Sequence, residues 1–163
     1  MTPMLFSLGS NVTPRQHLRL GLAALRQAFG RLECSPVFEA EPVGFNGTNF
    51  LNMAVKAWTD WPIEEVLAWI KEVEYAHGRP VNAKKYAPRT LDIDLLTYGE
   101  RVSNSPVVMP RPDILKLAFV LWPLAELVPN EILPGSNQSY SELWQAFDKD
   151  QPLWPVPFDE HAD

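Results

Sequence analysis

Leu91-Asp92-Ile93-Asp94-Leu95 alternates apolar and acidic residues without a break. Residues two apart in a β-strand share a face, so Asp92 and Asp94 project to one side while Leu91, Ile93 and Leu95 enter a core on the other. That pattern belongs to a sheet with one covered and one accessible face, and therefore to antiparallel pairing. Two carboxylates held this close repel unless protons or a cation lie between them. A hard divalent cation that prefers oxygen ligands, magnesium by default, answers that repulsion. The competing account is an ordinary solvated polar face.

Immediately upstream, the stretch from Tyr75 to Leu91 carries His77, Arg79, Lys84, Lys85 and Arg89 and no acidic residue, in a chain whose formal net charge is −6. Cations facing carboxylate-bound magnesium suit a polyphosphate and would offset charge that develops during phosphoryl transfer. Gly78, Pro80 and Pro88, with no apolar periodicity between them, describe a flap able to close over a nucleotide. A solvated basic loop is the alternative. No Walker-type glycine loop, zinc motif or nucleophile elbow occurs, so a bound nucleotide is held another way.

Further toward the N-terminus, Met4 to Ser10 reads as a strand, and Thr13-Pro14 as an N-cap followed by a proline at the first helical position. Leu18, Leu22, Leu25 and Phe29 then form the buried stripe of a helix that Gly30 ends. Leu32 to Glu41 is extended, with Pro36 marking an edge or bulge, and Phe50 to Trp58 alternates as a strand. Asp60 is placed to cap a second helix with Ile63, Val66, Leu67, Ile70, Val73 and Ala76 inward. Strand, helix, strand, strand, helix, strand is the split β-α-β order of ferredoxin-like α+β folds: an antiparallel sheet with helices on one face and the other face free for a site. Beyond it, Leu115 to Val128 is apolar enough for a further helix and strand-like extension, though Pro110, Pro112, Pro123 and Pro129 are expected to cut it into pieces. Residues 1–150 are expected to form a single domain. Pro152, Pro155, Pro157 and several acids make 151–163 a loosely attached Pro-rich acidic tail.

At 163 residues and 46% hydrophobic, the chain has material for one core, and its acidic balance argues against nucleic-acid or anionic-membrane partners. A lone cysteine, Cys34, excludes an intrachain disulfide and a cysteine-rich zinc site, and is expected to be a small buried thiol. No signal-peptide pattern and no run near the ~18 apolar residues of a membrane span occurs, which points to a cytoplasmic protein; a monomer is expected. On the strand from Phe50, the Asn52 amide offers a donor and an acceptor to a heterocycle edge. Phe50 shares its face and could sandwich a flat ring with Phe119, although core packing also accounts for such aromatics.

Taken together, Ser7-Leu-Gly-Ser-Asn11, Phe50-Leu-Asn-Met-Ala-Val55, Glu74 with Gly78-Arg79, Ala87-Pro-Arg-Thr-Leu-Asp-Ile-Asp-Leu-Leu96, Tyr98-Gly99 and Phe119-Val-Leu-Trp-Pro-Leu-Ala-Glu126 resemble the 6-hydroxymethyl-7,8-dihydropterin pyrophosphokinase family, over about Leu5 to Pro129. The resemblance implies a folate-pathway enzyme that moves pyrophosphate from MgATP to a pterin hydroxymethyl group and releases AMP. By the same resemblance, Asp92 and Asp94 hold two magnesium ions, with Asp92 near the pterin hydroxyl, and Asn52 reads the pterin edge. Phe50 and Phe119 stack on the ring beside Pro42 and Val43, Arg79 and Arg89 contact phosphates, and Tyr86 fills the place of a flap aromatic. Glu74 and Arg111 fall on the nucleotide side.

Departures concentrate on that side. Pro110-Arg111-Pro112 replaces the family's Pro-His-Pro or Pro-His-Tyr, Leu117 and Val81 stand where basic residues are usual, and Ala87 replaces a glycine. Arg111 or Lys116 could replace a lost cation in space, but arginine and lysine are not interchangeable at a bidentate phosphate contact, so the expectation of an active pyrophosphokinase stands beside a diverged paralogue that binds a pterin without transfer. A metal-dependent phosphohydrolase using the same aspartates is a remoter option.

Overall fold

A strand that is apolar on both faces must be central and covered twice, whereas one that alternates with acids sits at the rim. The computed structural model, which describes residues 1–42, 47–77 and 90–160, obeys that rule. Strand β1 (Thr2–Ser10) is buried from Met4 through Ser10 and is paired on both edges. On one side lies β4 (Phe50–Thr59), on the other β5 (Asp92–Tyr98), both antiparallel to it. Strands β2 (Glu33–Cys34) and β3 (Val37–Ala40) both pair with β4, and β6 (Leu153–Val156) adds to β3. The order β5-β1-β4-β3-β6, with β2 beside β4, contains the ferredoxin-like arrangement and places the acidic strand at the rim.

Helices α1 (Pro14–Phe29) and α2 (Ile63–Ala76) cover one face. Leu18, Leu22 and Leu25 of α1 and Ile63, Val66 and Ile70 of α2 join Phe6, Leu8, Met53, Val55, Ile93 and Leu95 in one buried cluster. Pro14 opens α1, and Gly30, at φ +82°, closes it with its N–H donating to the Arg26 carbonyl at 2.8 Å. The two expected N-caps act differently. Thr13 makes no side-chain cap; its hydroxyl lies 3.0 Å from Nδ1 of His17. Asp60 does not cap α2, whose N-cap is Pro62; its carboxylate lies 3.7 Å from the chain's amino group instead, while Thr59 Oγ1 accepts from the Trp61 N–H at 3.0 Å.

The opposite face, expected to be free, is partly covered as well, because the apolar segment beyond β5 folds back on it: α3 (Ala118–Leu127) and α4 (Tyr140–Ala146) bury Val120, Leu121, Leu124 and Tyr140 against Leu5, Ala54 and Leu96. Pro123 does not break α3. Six of its ten residues are buried, and that packing outweighs the one N–H the proline withholds. Helix α4, which apolar periodicity does not announce, is set by a capping box in which Glu142 N–H reaches Ser139 Oγ at 3.1 Å and Ser139 N–H reaches Glu142 Oε1 at 2.9 Å.

The expected loose tail is instead a sheet strand. β6 pairs Val37 with Val156 and Ala40 with Leu153, its prolines being tolerated because it is an edge. Arg15 Nη1 donates to the Pro157 carbonyl at 2.6 Å, Arg19 Nε to that of Asp159 at 3.0 Å, and Arg26 pairs with Glu160 at 2.9 Å. Cys34 is exposed rather than buried, because its two-residue strand lies at the rim of the sheet. Among the described residues no helix is long and apolar enough to cross a membrane.

Candidate active site

Register assembles the site. On the face shared with α3 and α4, Phe38 of β3 stands opposite Asn52 of β4, Asn52 opposite Gly9 of β1, and Gly9 opposite Asp92 of β5. Two residues along, on the same face, Ser7 joins Ala54 to Asp94. Asp92 and Asp94 therefore point to this face and are half-buried, while Ile93 and Leu95 are 2% exposed beneath them.

The missing side chain at Gly9 is what lets Asn52 lie across the row. A Cβ there would stand 2.7 Å from Asn52 Oδ1. Asn52 is 2% exposed, and its Nδ2 has no partner among the described residues. A buried amide donor left unmade costs about 1–3 kcal/mol, which a ligand with a facing acceptor recovers. Gly9→Ala is therefore expected to fold normally, because only the end of the Asn52 side chain must give way. For the pterin that the resemblance implies, steady-state kinetics should show a rise of about tenfold in KM, the worth of roughly one hydrogen bond.

The carboxylates are held from two directions. Behind them, buried Glu74 of α2 accepts the Ile93 N–H at 2.9 Å and so ties α2 to the acidic strand. In front, the Arg111 N–H donates to the Leu96 carbonyl at 2.9 Å, which brings its guanidinium 3.4 Å from Asp94 Oδ1 and 3.3 Å from Asp113 Oδ2. Burial, and then Asp92, push the Asp94 carboxyl up to about 8, with Arg111 pulling the other way. A group whose folded pKa lies above its unfolded value contributes stability that is complete at acid pH and lost as pH rises through the folded pKa. Magnesium-free protein should therefore lose melting temperature between about pH 4 and about pH 8, and Asp94→Asn should flatten that part of the profile in thermal melts with EDTA.

Two hollows flank the row. A cleft of about 480 Å³ is lined by Glu74, Asp94 and Arg111, with Leu67, Ile70 and Val107 as its apolar wall. A smaller cavity of about 130 Å³ brings Pro42 beside Phe119, closed by Gln151 and Leu153 of the C-terminal segment. Phe50 lies on the Asn52 face at the same end, opposite Ala40. The structure thus gathers Asp92, Asp94 and Arg111 at one end of the face, with Glu74 behind them on the α2 side, and Pro42, Phe50, Asn52 and Phe119 at the other. Val43, Arg79, Tyr86 and Arg89 lie outside the described residues. Gly9, Asp113 and Gln151 join the site without having been singled out. The Ser7-Leu-Gly-Ser-Asn11 motif held a signal for Gly9, but nothing in the sequence marked the other two.

The match to known proteins is direct. Residues 5–129 fit the model of the 7,8-dihydro-6-hydroxymethylpterin-pyrophosphokinase family. The chain belongs to that family. A 2-amino-4-hydroxy-6-hydroxymethyldihydropteridine pyrophosphokinase of Aquifex aeolicus is 37% identical over 146 residues, covering 88% of this chain and 91% of its own. The Bacillus subtilis protein of the same name is 35% identical over 126 residues, covering 74% and 75%. A crystal structure of Plasmodium falciparum HPPK-DHPS with pteroate superposes with a TM-score of 0.73 at 12% identity; it covers 88% of this chain, which spans 44% of that one. That likeness speaks for the fold.

Within the pyrophosphokinase family, the departure at Arg111 now has a place: the guanidinium lies against Asp94 and Asp113 at the mouth of the larger cleft. Among the described residues no group of three or more His, Cys, Asp or Glu side chains is arranged to hold a metal alone. Two carboxylates fit magnesium, which usually takes one or two protein carboxylates and completes its shell with phosphate oxygens and water.

Proposed function

We propose that the protein transfers pyrophosphate from MgATP to the hydroxyl of 6-hydroxymethyl-7,8-dihydropterin, releasing AMP, as a step of folate synthesis. The observation that carries this reading is the position of Asp94 as a wall of the 480 Å³ cleft while Asp92, two residues along, lies opposite Gly9 in the row that Asn52 shares. The carboxylates stand where a nucleotide's phosphates and a heterocycle's substituent would meet.

In this reading Asn52 donates to the pterin edge, and Phe50, Phe119, Pro42 and Val43 confine its ring. The hydroxyl oxygen attacks the β-phosphorus in line, the bond from that phosphorus to the α,β-bridging oxygen breaks, and the β- and γ-phosphates leave together on the substrate oxygen. The hydroxyl proton passes to the Asp92 side of the row. Asp92 and Asp94 would hold magnesium, two ions by the family resemblance, and the metal would supply charge neutralisation at the triphosphate. Arg79, Arg89 and Tyr86 are assigned to the phosphate and nucleotide side, with Glu74 fixing the strand that carries the carboxylates. Arg111 exchanges its pairing with Asp94 for a phosphate oxygen.

A coupled assay for AMP with the hydroxymethyl-dihydropterin and MgATP tests the proposal. Pterin-dependent AMP is expected, and folded, pterin-binding protein that releases none would overturn it.

A further inference from the structure

Phe119 sits in the first turn of α3, and that turn has no side-chain cap of its own, because its N-cap residue is Leu117. Leu117 is extended, at φ −120° and ψ 120°. The Lys116 carbonyl and the Ala118 N–H on either side of it therefore point the same way, as they would toward an adjacent strand. No strand is there among the described residues. Instead the half-buried side chain of Gln151 takes both: its Oε1 accepts from the Ala118 N–H at 2.9 Å and its Nε2 donates to the Lys116 carbonyl at 3.0 Å.

Gln151 is itself fixed by the strand next to it. β6 begins two residues later and pairs Leu153 with Ala40, the residue from which the chain runs through Glu41 to Pro42. One short segment thus ties the strand leading to Pro42 to the helix start carrying Phe119, and it closes the cavity between them. A side-chain amide that satisfies one donor and one acceptor of an otherwise uncapped turn settles the angle at which the next side chain is presented.

We propose that Gln151 is a positioning residue for the ring substrate, acting through Phe119, and that the C-terminal segment is part of the substrate site. The proposal rests on the pterin reading of that site. It accounts for why a Pro-rich end is held by a strand and by Arg15, Arg19 and Arg26 at successive points.

The test uses the full chain with Gln151→Ala and Gln151→Met, the second keeping the side chain's length while removing both hydrogen bonds. KM for the hydroxymethyl-dihydropterin should rise about fivefold to tenfold in both. KM for MgATP and kcat should stay within about twofold, a split that general loosening of the fold would not give. If Gln151→Ala fails to fold, Gln151→Met decides. An unchanged pterin KM, or two KM values rising together, overturns the assignment. Calorimetry with the pterin alone separates this from the function: wild type that binds pterin but makes no AMP sinks the transfer reading, and Gln151 is then judged on the same fold-change in affinity. Wild type that binds no pterin overturns both.

Discussion

Asp94→Asn is expected to lower AMP formation by on the order of 10³-fold, the scale of removing a charge-stabilising group from a phosphoryl-transfer site. The substitution keeps the shape of the side chain and removes the charge that Arg111 Nη2 faces at 3.4 Å. It should not unfold the protein, because the burial and the Asp92 carboxylate that push Asp94 up to about 8 already oppose its ionisation. Loss of activity and gain of metal-free stability at alkaline pH should therefore appear in one variant. Asp92→Asn should lose activity on a similar scale, since that residue faces the Gly9 and Asn52 row. Turnover within about tenfold of wild type in either variant would remove the carboxylate pair from the mechanism.

The sequence exposed most of the scaffold because local pattern and tertiary position agree there. β5 alternates because it is a rim strand with one open face, and the stripe of Leu18, Leu22 and Leu25 is the buried side of α1. Legibility failed where a distant partner decides the outcome. Pro123 reads as a break, yet burial of α3 against Leu5, Ala54 and Leu96 keeps the helix whole. Pro152, Pro155 and Pro157 read as a loose end, yet β3 offers an edge that accepts them. Asp60 satisfied a capping rule, but Pro62 took the position.

The site divides the same way. Asp92, Asp94 and Asn52 were visible as residue types in a strand pattern, and family resemblance supplied their roles. That Gly9 stands between Asn52 and Asp92 is a consequence of register, which one strand's sequence does not contain. Asp113 and Gln151 enter through contacts of a single 3-10 turn (Pro112–Leu115) and of the segment before β6, neither with a periodic signal, and Arg111 shows its pairing with Asp94 only once its N–H is seen on the Leu96 carbonyl.

The largest effect expected on the ring side comes from Asn52→Leu. Leucine branches at the same carbon and approximates the outline of the amide over Gly9, so packing along the row is kept. Asn52 Nδ2 is buried with no partner among the described residues, a state that costs about 1–3 kcal/mol in the ligand-free protein. Removing that cost leaves stability unchanged or improves it, so the melting temperature should hold or rise. Binding should move the opposite way. A substrate acceptor that faced the amide loses its partner on entering a dry pocket, and the pterin KM should increase by about 10²-fold while the KM for MgATP stays within about twofold. This opposition of signs separates a recognition residue from a packing residue, since losing a packing contact weakens the fold without a selective loss of pterin binding. A variant that melts lower than wild type and binds pterin equally well would assign Asn52 to the core and move the ring's polar contact elsewhere on the face.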